Sequence, residues 1–152
     1  MIGFDTFEGY TLNFHEKDSI NEFELAQFKS FNRENVSTLA ELEVPRRNFN
    51  ADRHRKQFEK IKLVIGDASK IIPMFVKENP RLIVSLLICG TDIYSPTYTA
   101  LKHFDPLMPK GAVVLFGATS FDGNPGGTAA LKDVVGIDAV RLERFDFATK
   151  WS

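Results

Sequence analysis

The sequence predicts an α/β protein with a doubly wound, mostly parallel sheet, and the segment from residue 82 to residue 116 carries most of that prediction. Residues 82–89, apart from Ser85, and residues 112–116 are apolar runs of strand length, which is typical of strands buried on both faces of a parallel sheet. Between them, apolar residues recur at helical spacing, at Ala100, Leu101 and Phe104. A strand, a crossover helix and a second strand form a unit of parallel sheet, and ligands of such sheets bind beyond the carboxyl ends of the strands.

Length and composition favour one soluble domain of ordinary size. The chain has 152 residues, of which 43% are hydrophobic and 14 are Phe, enough for a sizeable core. Its net charge of −1 gives no electrostatic reason to expect binding to nucleic acid or to anionic membranes. No apolar run approaches the ~20 residues that a membrane-spanning helix needs, and the first residues lack the pattern of a secretory signal. We therefore expect a cytoplasmic protein without nucleic-acid or membrane partners.

Cysteine and histidine usage gives little reason to expect redox or metal chemistry. The single cysteine, Cys89, excludes an internal disulfide and a cysteine-cluster zinc site. Because Cys89 lies in a buried apolar run, its thiol is interpreted as a packing group rather than a nucleophile. His15, His54 and His103 are widely separated along the chain, so their spacing predicts no metal cluster.

The first third of the chain is less regular than the central unit. Residues 1–4 are expected to form a short strand. Residues 13–57 are polar and charge-rich, with an amphipathic helix expected from about Ser19 to Leu42 on a broken apolar stripe. The basic residues within 46–56 are interpreted as a solvated loop and helix start, and binding of a sugar-nucleotide phosphate there is the alternative.

From residue 61 the pattern is clearer. Residues 61–65 predict a strand, and Gly66, Asp67 and Ala68 follow it as a turn. A helix is predicted over 68–78, since its apolar residues recur at helical spacing and the Asn-Pro pair at 79–80 ends it.

The second half of the chain continues the alternation of strands and helices. The crossover helix is expected to open at Pro96, because proline fits the first turn of a helix. Residues 120–127 predict a loop rich in glycine and proline, and residues 128–135 a short helix. Residues 140–147 alternate between apolar and charged side chains, which indicates a half-exposed edge strand.

Several segments of this chain occur together, and in the same order, in one enzyme family. They are G-F-D-T-F-E-G-Y (3–10), K-L-V-I-G-D-A-S-K-I-I-P (62–73), L-L-I-C-G-T-D-I-Y-S-P-T with A-L-K-H-F (86–104), M-P-K-G-A-V-V-L-F (108–116) and N-P-G-G-T (124–128). With these segments the chain resembles the macrocin O-methyltransferase family, sugar O-methyltransferases that include deoxyhexose 3-O-methyltransferases. The resemblance covers most of the chain and is weakest between residues 13 and 57.

The resemblance implies a Rossmann-like class I methyltransferase fold that binds S-adenosylmethionine and acts on a sugar or nucleotide sugar. In this fold Asp5 would accept hydrogen bonds from the cofactor ribose, and Asp67 with the Ala68 amide would lie against the adenine edge. The implied cofactor-binding residues are Asp5, Thr6, Phe7, Gly66, Asp67 and Ala68. Aspartates also form turns and cap helices, and this is the alternative role for Asp5 and Asp67.

The sequence departs from the family at the positions that would hold a metal. The family's fourth strand ends in Asp-x-Asp and its fifth in an acidic pair, and these acids bind magnesium. Here the first acid is replaced by Gly90, the pair by Gly117-Ala118, and the Glu of a later Pro-Gly-Glu-Thr motif by Gly127. Asp92 and Tyr94 remain as candidate catalytic residues facing the substrate. Because one carboxylate cannot supply a dedicated magnesium site, we expect no metal and little or no turnover.

The resemblance also implies that the family's first strand and last strand lie outside this sequence. We therefore expect residues 1–152 to form a single partial methyltransferase-like domain, in which the strands before residue 66 lack the partner that links them to the later strands. Two functions follow from this view: a weakly active or inactive relative of sugar O-methyltransferases, or a non-catalytic binding or interaction module or gene fragment on that scaffold. A homo-oligomer that pairs the open sheet edges is left open.

Overall fold

The computed structural model describes residues 1–18, 22, 25–26, 39–52, 54, 57–117 and 125–143. In chain order the strands and longer helices are β1 (Ile2–Asp5), α1 (Leu39–Ala51), β2 (Lys62–Ile65), α2 (Ala68–Glu78), β3 (Leu86–Cys89), α3 (Tyr94–Phe104), β4 (Val113–Phe116) and α4 (Gly126–Val134). Short 3-10 helices lie at Glu16–Asp18, Asp105–Leu107 and Ile137–Ala139. Strands and helices therefore alternate from β2 onward, as the sequence predicts.

The strands pair in parallel, in two separate sheets of two strands among the described residues. β1 pairs with β2, with Ile2 opposite Lys62, and β3 pairs with β4, with Leu86 opposite Val113. The predicted parallel sheet is thus confirmed within each pair. Among the described residues no strand links the early pair to the later pair.

The core lies between the sheets and the helices α2, α3 and α4, and α3 packs against both of the other helices. Its buried apolar residues from the strands are Leu87, Cys89 and Phe116, and those from the helices include Ile72, Phe75, Leu101, Phe104 and Leu131. The ring of Phe4 lies 5.1 Å from that of Phe75 and 5.9 Å from that of Phe104, which attaches β1 to the same layer of helices.

The prediction that β3 and β4 are buried on both faces was wrong. On β3, Leu87 and Cys89 are 9% and 6% exposed, whereas Leu86 and Ile88 are 53% and 54% exposed. Val113, opposite Leu86, is exposed to a similar extent. Alternate residues of a strand point to opposite faces, and the helices that bury Leu87 and Cys89 cover one of them.

The helix boundaries are close to those predicted, and the differences have local causes. α2 spans the predicted residues, and the Asp67 carboxylate caps it by accepting a 2.9 Å hydrogen bond from Ser69 N. α3 begins at Tyr94, two residues before Pro96, because its first amide already has a partner in the carboxylate of Asp18. α4 begins at Gly126 rather than at residue 128.

The helix expected over 19–42 is described only in part. Residues 22, 25 and 26 are helical, as expected. α1 overlaps the range at residues 39–42 and continues past its predicted end, through Pro45 to Ala51. Much of the earlier part of the range lies outside the described residues. In the last turn of α1, Asn50 fixes the entry into β2, since its Oδ1 accepts hydrogen bonds from the amides of Lys60 and Ile61 at 2.9 and 3.1 Å.

The basic segment 46–56 is partly described. Arg46 forms ion pairs with Glu43 (2.9 Å) and Glu59, so its charge is neutralised within the chain. Arg53, Arg55 and Lys56 lie outside the described residues.

The predictions for the last part of the chain are only partly tested. Residues 140–143 form no strand, and residues 144–147 of the predicted edge strand lie outside the described residues. Most of the predicted loop 120–127 lies outside them as well.

Across the part of the chain described by the structure, none of the helices has both the length and the apolar character needed to cross a membrane.

Candidate functional site

A cavity of about 230 Å³ lies where β1, β2 and β3 end, which is where open parallel sheets bind their ligands. Its walls come from three segments: residues within 4–11 at the end of β1 and after it, residues 66–68 after β2, and residues within 90–96 after β3. The two strand pairs beside the cavity share no backbone hydrogen bonds with each other. The shape of the cavity therefore depends on the contacts that hold these three segments in place.

The first wall is a tight turn built on Asp5. Its Oδ1 accepts a 2.7 Å hydrogen bond from Phe7 N, and Thr6 Oγ1 donates to the carbonyl of Gly9 at 2.9 Å. These bonds hold Phe7 at a φ of 56°, an uncommon value for a residue with a side chain. A carboxylate accepts several hydrogen bonds, so Asp5 can hold this turn and also receive a donor from a ligand.

The second wall is the turn between β2 and α2. Gly66 has a φ of 140°, and a side chain there would also press on Ile71. Asp67 caps α2 and lies 3.5 Å from the exposed ammonium of Lys70. Ala68 supplies the first amide of α2, a donor that a helix leaves without an intrahelical partner. This wall therefore places a carboxylate beside a backbone donor.

The third wall is the turn that joins β3 to α3. Asp92 has a φ of 57°, and its side chain lies beside Gly117, where a methyl group would be 3.2 Å from Oδ1. The hydroxyls of Thr91 and Thr97 are 3.1 Å apart, and Thr97 Oγ1 donates to the carbonyl of Ile93 at 2.8 Å. The backbone of this wall is thus fixed by side chains of α3.

Tyr10 lines the same cavity, and sequence reasoning did not single it out. Burial, followed by the carboxylates of Asp92 and Asp5, raises the pKa of its phenol above the ordinary value, so the hydroxyl keeps its proton at neutral pH. The sequence offered one indication of its importance, since Tyr10 ends the segment 3–10 that contributes to the family resemblance. The phenol gives the cavity an aromatic surface together with a hydroxyl.

The cavity brings together most of the residues that the resemblance implies for the cofactor. Asp5, Thr6, Gly66, Asp67 and Ala68 line it. Phe7, Asp92 and Tyr94 are not among the residues that line it. Phe7 contributes its amide to the Asp5 turn, and Asp92 lies in the neighbouring turn.

The hydroxyl of Tyr94 is directed to α4. It donates to Asp133 Oδ2 at 2.7 Å, and the ring stacks on His15 at a centroid distance of 4.4 Å. Lys17 also bonds to Asp133, and the hydrogen bonds from Lys17 and Tyr94 hold the pKa of Asp133 below its ordinary value. The hydrogen bond to Asp133 in turn raises the pKa of Tyr94. A role for Tyr94 toward a substrate stays a prediction.

Two further features bear on chemistry. Burial raises the pKa of Cys89 to about 12, so its thiol is held in the unreactive protonated form. In the described ranges, which omit residues 118–124 beside Gly117, no three His, Cys, Asp or Glu side chains are grouped so that they could hold a metal ion. The expectation that the chain binds no metal stays a prediction.

Solved structures with the same fold are known, although no protein-family model matches the chain and no curated protein matches it significantly. The chain is similar to the crystal structure of CalS11, a calicheamicin methyltransferase, with a TM-score of 0.84 and 24% identity over 99% of this chain and 57% of that one. It is also similar to the apo structure of CalS11, described as a TDP-rhamnose 3′-O-methyltransferase of calicheamicin biosynthesis, with a TM-score of 0.73 and 23% identity over 99% and 56%.

These comparisons establish the fold. The chain has the α/β fold of a methyltransferase, which confirms the predicted fold class, and it spans a little over half the length of the structures it matches. At this level of identity the likeness extends to the fold, and the activity of the neighbours is a property of those proteins.

Proposed function

We propose that residues 1–152 form a single partial methyltransferase-like domain, related to sugar O-methyltransferases, whose cavity binds the adenosine portion of S-adenosylmethionine. The observation that carries this proposal is the convergence of Asp5, Gly66, Asp67 and Ala68 on one cavity. These residues come from two turns that are separated by about 60 residues of sequence, and the fold is that of a methyltransferase.

The polar groups of the cavity suit a nucleoside. The Asp5 carboxylate can accept from the two vicinal hydroxyls of a ribose, since its turn uses one of its oxygens. The Asp67 carboxylate can accept from an exocyclic amine, and the Ala68 amide can donate to a ring nitrogen. The Asp67 carboxylate is thus a hydrogen-bond acceptor beside the Ala68 amide donor, and the edge of adenine offers the complementary amine donor and ring-nitrogen acceptor.

The size and walls of the cavity suit the same part of the cofactor. Pockets for whole drug-sized ligands have volumes of roughly 300–1,000 Å³, and this cavity has about 230 Å³. It therefore fits a nucleoside better than the entire cofactor. Phe4, Tyr10, Ile93 and Pro96 supply apolar surface against which a base and a sugar can pack.

Methyl transfer by this chain is proposed to be weak or absent. When bound, S-adenosylmethionine supplies a sulfonium methyl group for transfer to a sugar hydroxyl. Gly90 and Gly117 stand where the resemblance implies metal-binding acids, and Asp92 lies beside Gly117. One carboxylate could orient a hydroxyl or accept its proton, with no second acid to assist. If transfer occurs, a sugar or nucleotide sugar is the proposed acceptor.

A second candidate function is a non-catalytic binding module on the same scaffold. The engagement of Tyr94 by Asp133 favours it, because the hydroxyl of one of the two candidate catalytic residues is bonded away from the cavity. Such a module would keep the nucleoside site, or pair with another subunit, without transferring a methyl group.

Calorimetric titration with S-adenosylhomocysteine tests the proposal. We expect saturable binding to the wild-type chain and a loss of about tenfold or more in Asp67→Asn, which keeps a helix-capping oxygen but removes the charge. Asp105→Asn, an exposed carboxylate outside the cavity, is the matched control and should bind as the wild type does. No saturable heat with the folded wild-type chain would refute the proposed site.

A methyl-transfer assay separates the two candidate functions. Incubation with S-adenosylmethionine and TDP-rhamnose, the acceptor named for the neighbouring structure, should give at most slow methylation. Fast turnover would overturn the proposal of weak activity. Binding of S-adenosylhomocysteine without any methyl transfer would favour the non-catalytic module.

A further inference from the structure

We propose that Asp18 is a positioning residue that holds the wall of the cavity formed by residues 90–96. This inference rests on the proposed nucleoside site, whose third wall is that turn. The side chain of Asp18 is 3% exposed, although it is a carboxylate. Its Oδ1 accepts a 2.7 Å hydrogen bond from Tyr94 N, and its Oδ2 accepts a 2.8 Å hydrogen bond from His15 N.

The contact falls at the point where the cavity wall becomes a helix. Gly90, Thr91, Ile93 and Pro96 line the cavity, and Tyr94 is the first residue of α3. The preceding cap position is occupied by an isoleucine, which has no side-chain hydrogen bond to offer the helix. Asp18 supplies that acceptor from a segment 76 residues earlier in the chain. Its negative charge also lies at the favourable end of the helix dipole.

The turn also contains an uncommon backbone conformation. Asp92 has a φ of 57°, in the left-handed region, which aspartate tolerates better than most residues with a side chain. Thr97, which is 2% exposed, holds the carbonyl of Ile93 from the α3 side. Asp18 holds the next amide, Tyr94 N, from the opposite segment. The turn that contains Asp92 and forms this cavity wall is therefore fixed from two sides, by Thr97 and by Asp18.

Gly126 makes this contact sterically feasible. A side chain at Gly126 would clash with Asp18 Oδ1, and its first carbon would lie 2.6 Å from Tyr94 N. The first residue of α4 therefore leaves room for a carboxylate that would otherwise be excluded. Asp18 is buried, receives hydrogen bonds from two backbone amides, and fits beside Gly126. Together these contacts fix the position of the 90–96 turn.

The first test measures the turn itself, without a ligand. Hydrogen–deuterium exchange of the peptide spanning residues 90–97 should be faster in Asp18→Ala than in the wild-type chain, while exchange in β1 and β2 should be unchanged. In Asp18→Asn, which keeps one acceptor oxygen, the increase should be smaller. Unchanged exchange of 90–97 in both folded variants would overturn the proposal, whether or not the cavity binds a nucleoside.

The second test measures the consequence for the site. With S-adenosylhomocysteine as the probe, Asp18→Ala should bind about tenfold or more weakly than the wild-type chain, and Asp18→Asn should fall between them. The control is Leu131→Ala, which removes a buried side chain of α4 that makes no hydrogen bond to the turn, and which lowers stability. Well below its unfolding midpoint it should bind within about twofold of the wild type, a difference of less than about half a kcal/mol.

The outcomes separate the two proposals. If the wild-type chain binds the probe and folded Asp18→Ala binds it equally well, Asp18 does not position the site. If the wild-type chain does not bind the probe, the nucleoside site fails, and the exchange measurement alone decides the role of Asp18. If Leu131→Ala loses as much affinity as Asp18→Ala, general destabilisation explains the loss and positioning is refuted.

Discussion

The carboxylate of Asp18 accepts a 2.7 Å hydrogen bond from the backbone amide of Tyr94, 76 residues away in sequence. This contact joins the 3-10 helix Glu16–Asp18 to the start of α3, and the turn that precedes α3 forms one wall of the cavity. The segment that follows β1 therefore shapes the cavity twice, through the turn at Asp5 and through the cap at Asp18.

Replacing Gly126 with alanine should destabilise the chain by about 1–3 kcal/mol, the usual cost of forcing extra volume into a packed site. The new methyl group would collide with Asp18 and crowd Tyr94 N. Urea unfolding measures the change in the free energy of unfolding. The control is Gly90→Ala, where a methyl group meets nothing within 4 Å and should have little effect on stability. Equal stabilities of the two variants would contradict the crowding at Gly126.

Two neighbouring residues of β3 should respond very differently to truncation. Leu87→Ala should cost about 2–5 kcal/mol, because it leaves a cavity in the core. Ile88→Ala should cost much less, since the side chain of Ile88 is 54% exposed on the opposite face. Denaturant unfolding of the two variants provides the comparison. A cost at Ile88 as large as that at Leu87 would show that the outer face is covered in solution.

The thiol of Cys89 should be inert in the folded chain. Burial raises the pKa of Cys89 to about 12, so the reactive thiolate is scarce near neutral pH and the sulfur is also shielded. A disulfide reagent should label it slowly in native buffer and rapidly in denaturant. Ser85→Cys places a thiol at an exposed position of the neighbouring segment, and its extra group should react at once. Rapid native labelling of the wild-type chain would refute the buried position.

Asp133 should make stability depend on pH on the acidic side. Hydrogen bonds from Lys17 and Tyr94 lower the pKa of Asp133 in the folded chain below that in the unfolded chain. The stabilisation is therefore fully present above the ordinary aspartate pKa and is lost as the pH falls through the lower folded value. Asp133→Asn should lower the unfolding temperature at about pH 6, and the difference from the wild type should shrink toward about pH 3. A difference that stays constant with pH would contradict this pairing.

Local signals in the sequence predict most of the local structure. Asp67 followed by an apolar periodicity predicts the start of α2, and Asn79-Pro80 predicts its end, since both capping and proline effects act within a few residues. The fold class follows from the apolar runs around β3 and β4. The exposure of Leu86 and Ile88 could not be predicted in this way, because an apolar run does not report which neighbours cover each face.

The candidate site was predictable where the resemblance names residues and unpredictable where contacts are distant in sequence. Asp5 and Asp67 line the cavity, and their binding of a cofactor stays a prediction. Asp18 lies outside the segments that carry the resemblance, and Gly126 lies in the N-P-G-G-T segment without a role implied for it. Both were missed because their relation exists only after α3 and α4 have packed together. Tyr10 was missed because its importance derives from burial beside two carboxylates.

The most direct test of the account compares adenosine with 2′,3′-dideoxyadenosine as ligands of the wild-type chain and of Asp5→Asn. The asparagine keeps the acceptor for Phe7 N, so the turn should survive while the charge that would receive ribose hydroxyls is lost. Calorimetry should show that removing the hydroxyls weakens binding to the wild-type chain by about tenfold or more and weakens binding to Asp5→Asn far less. Binding that is absent, or equal for both nucleosides in the wild-type chain, would contradict a nucleoside site built on Asp5.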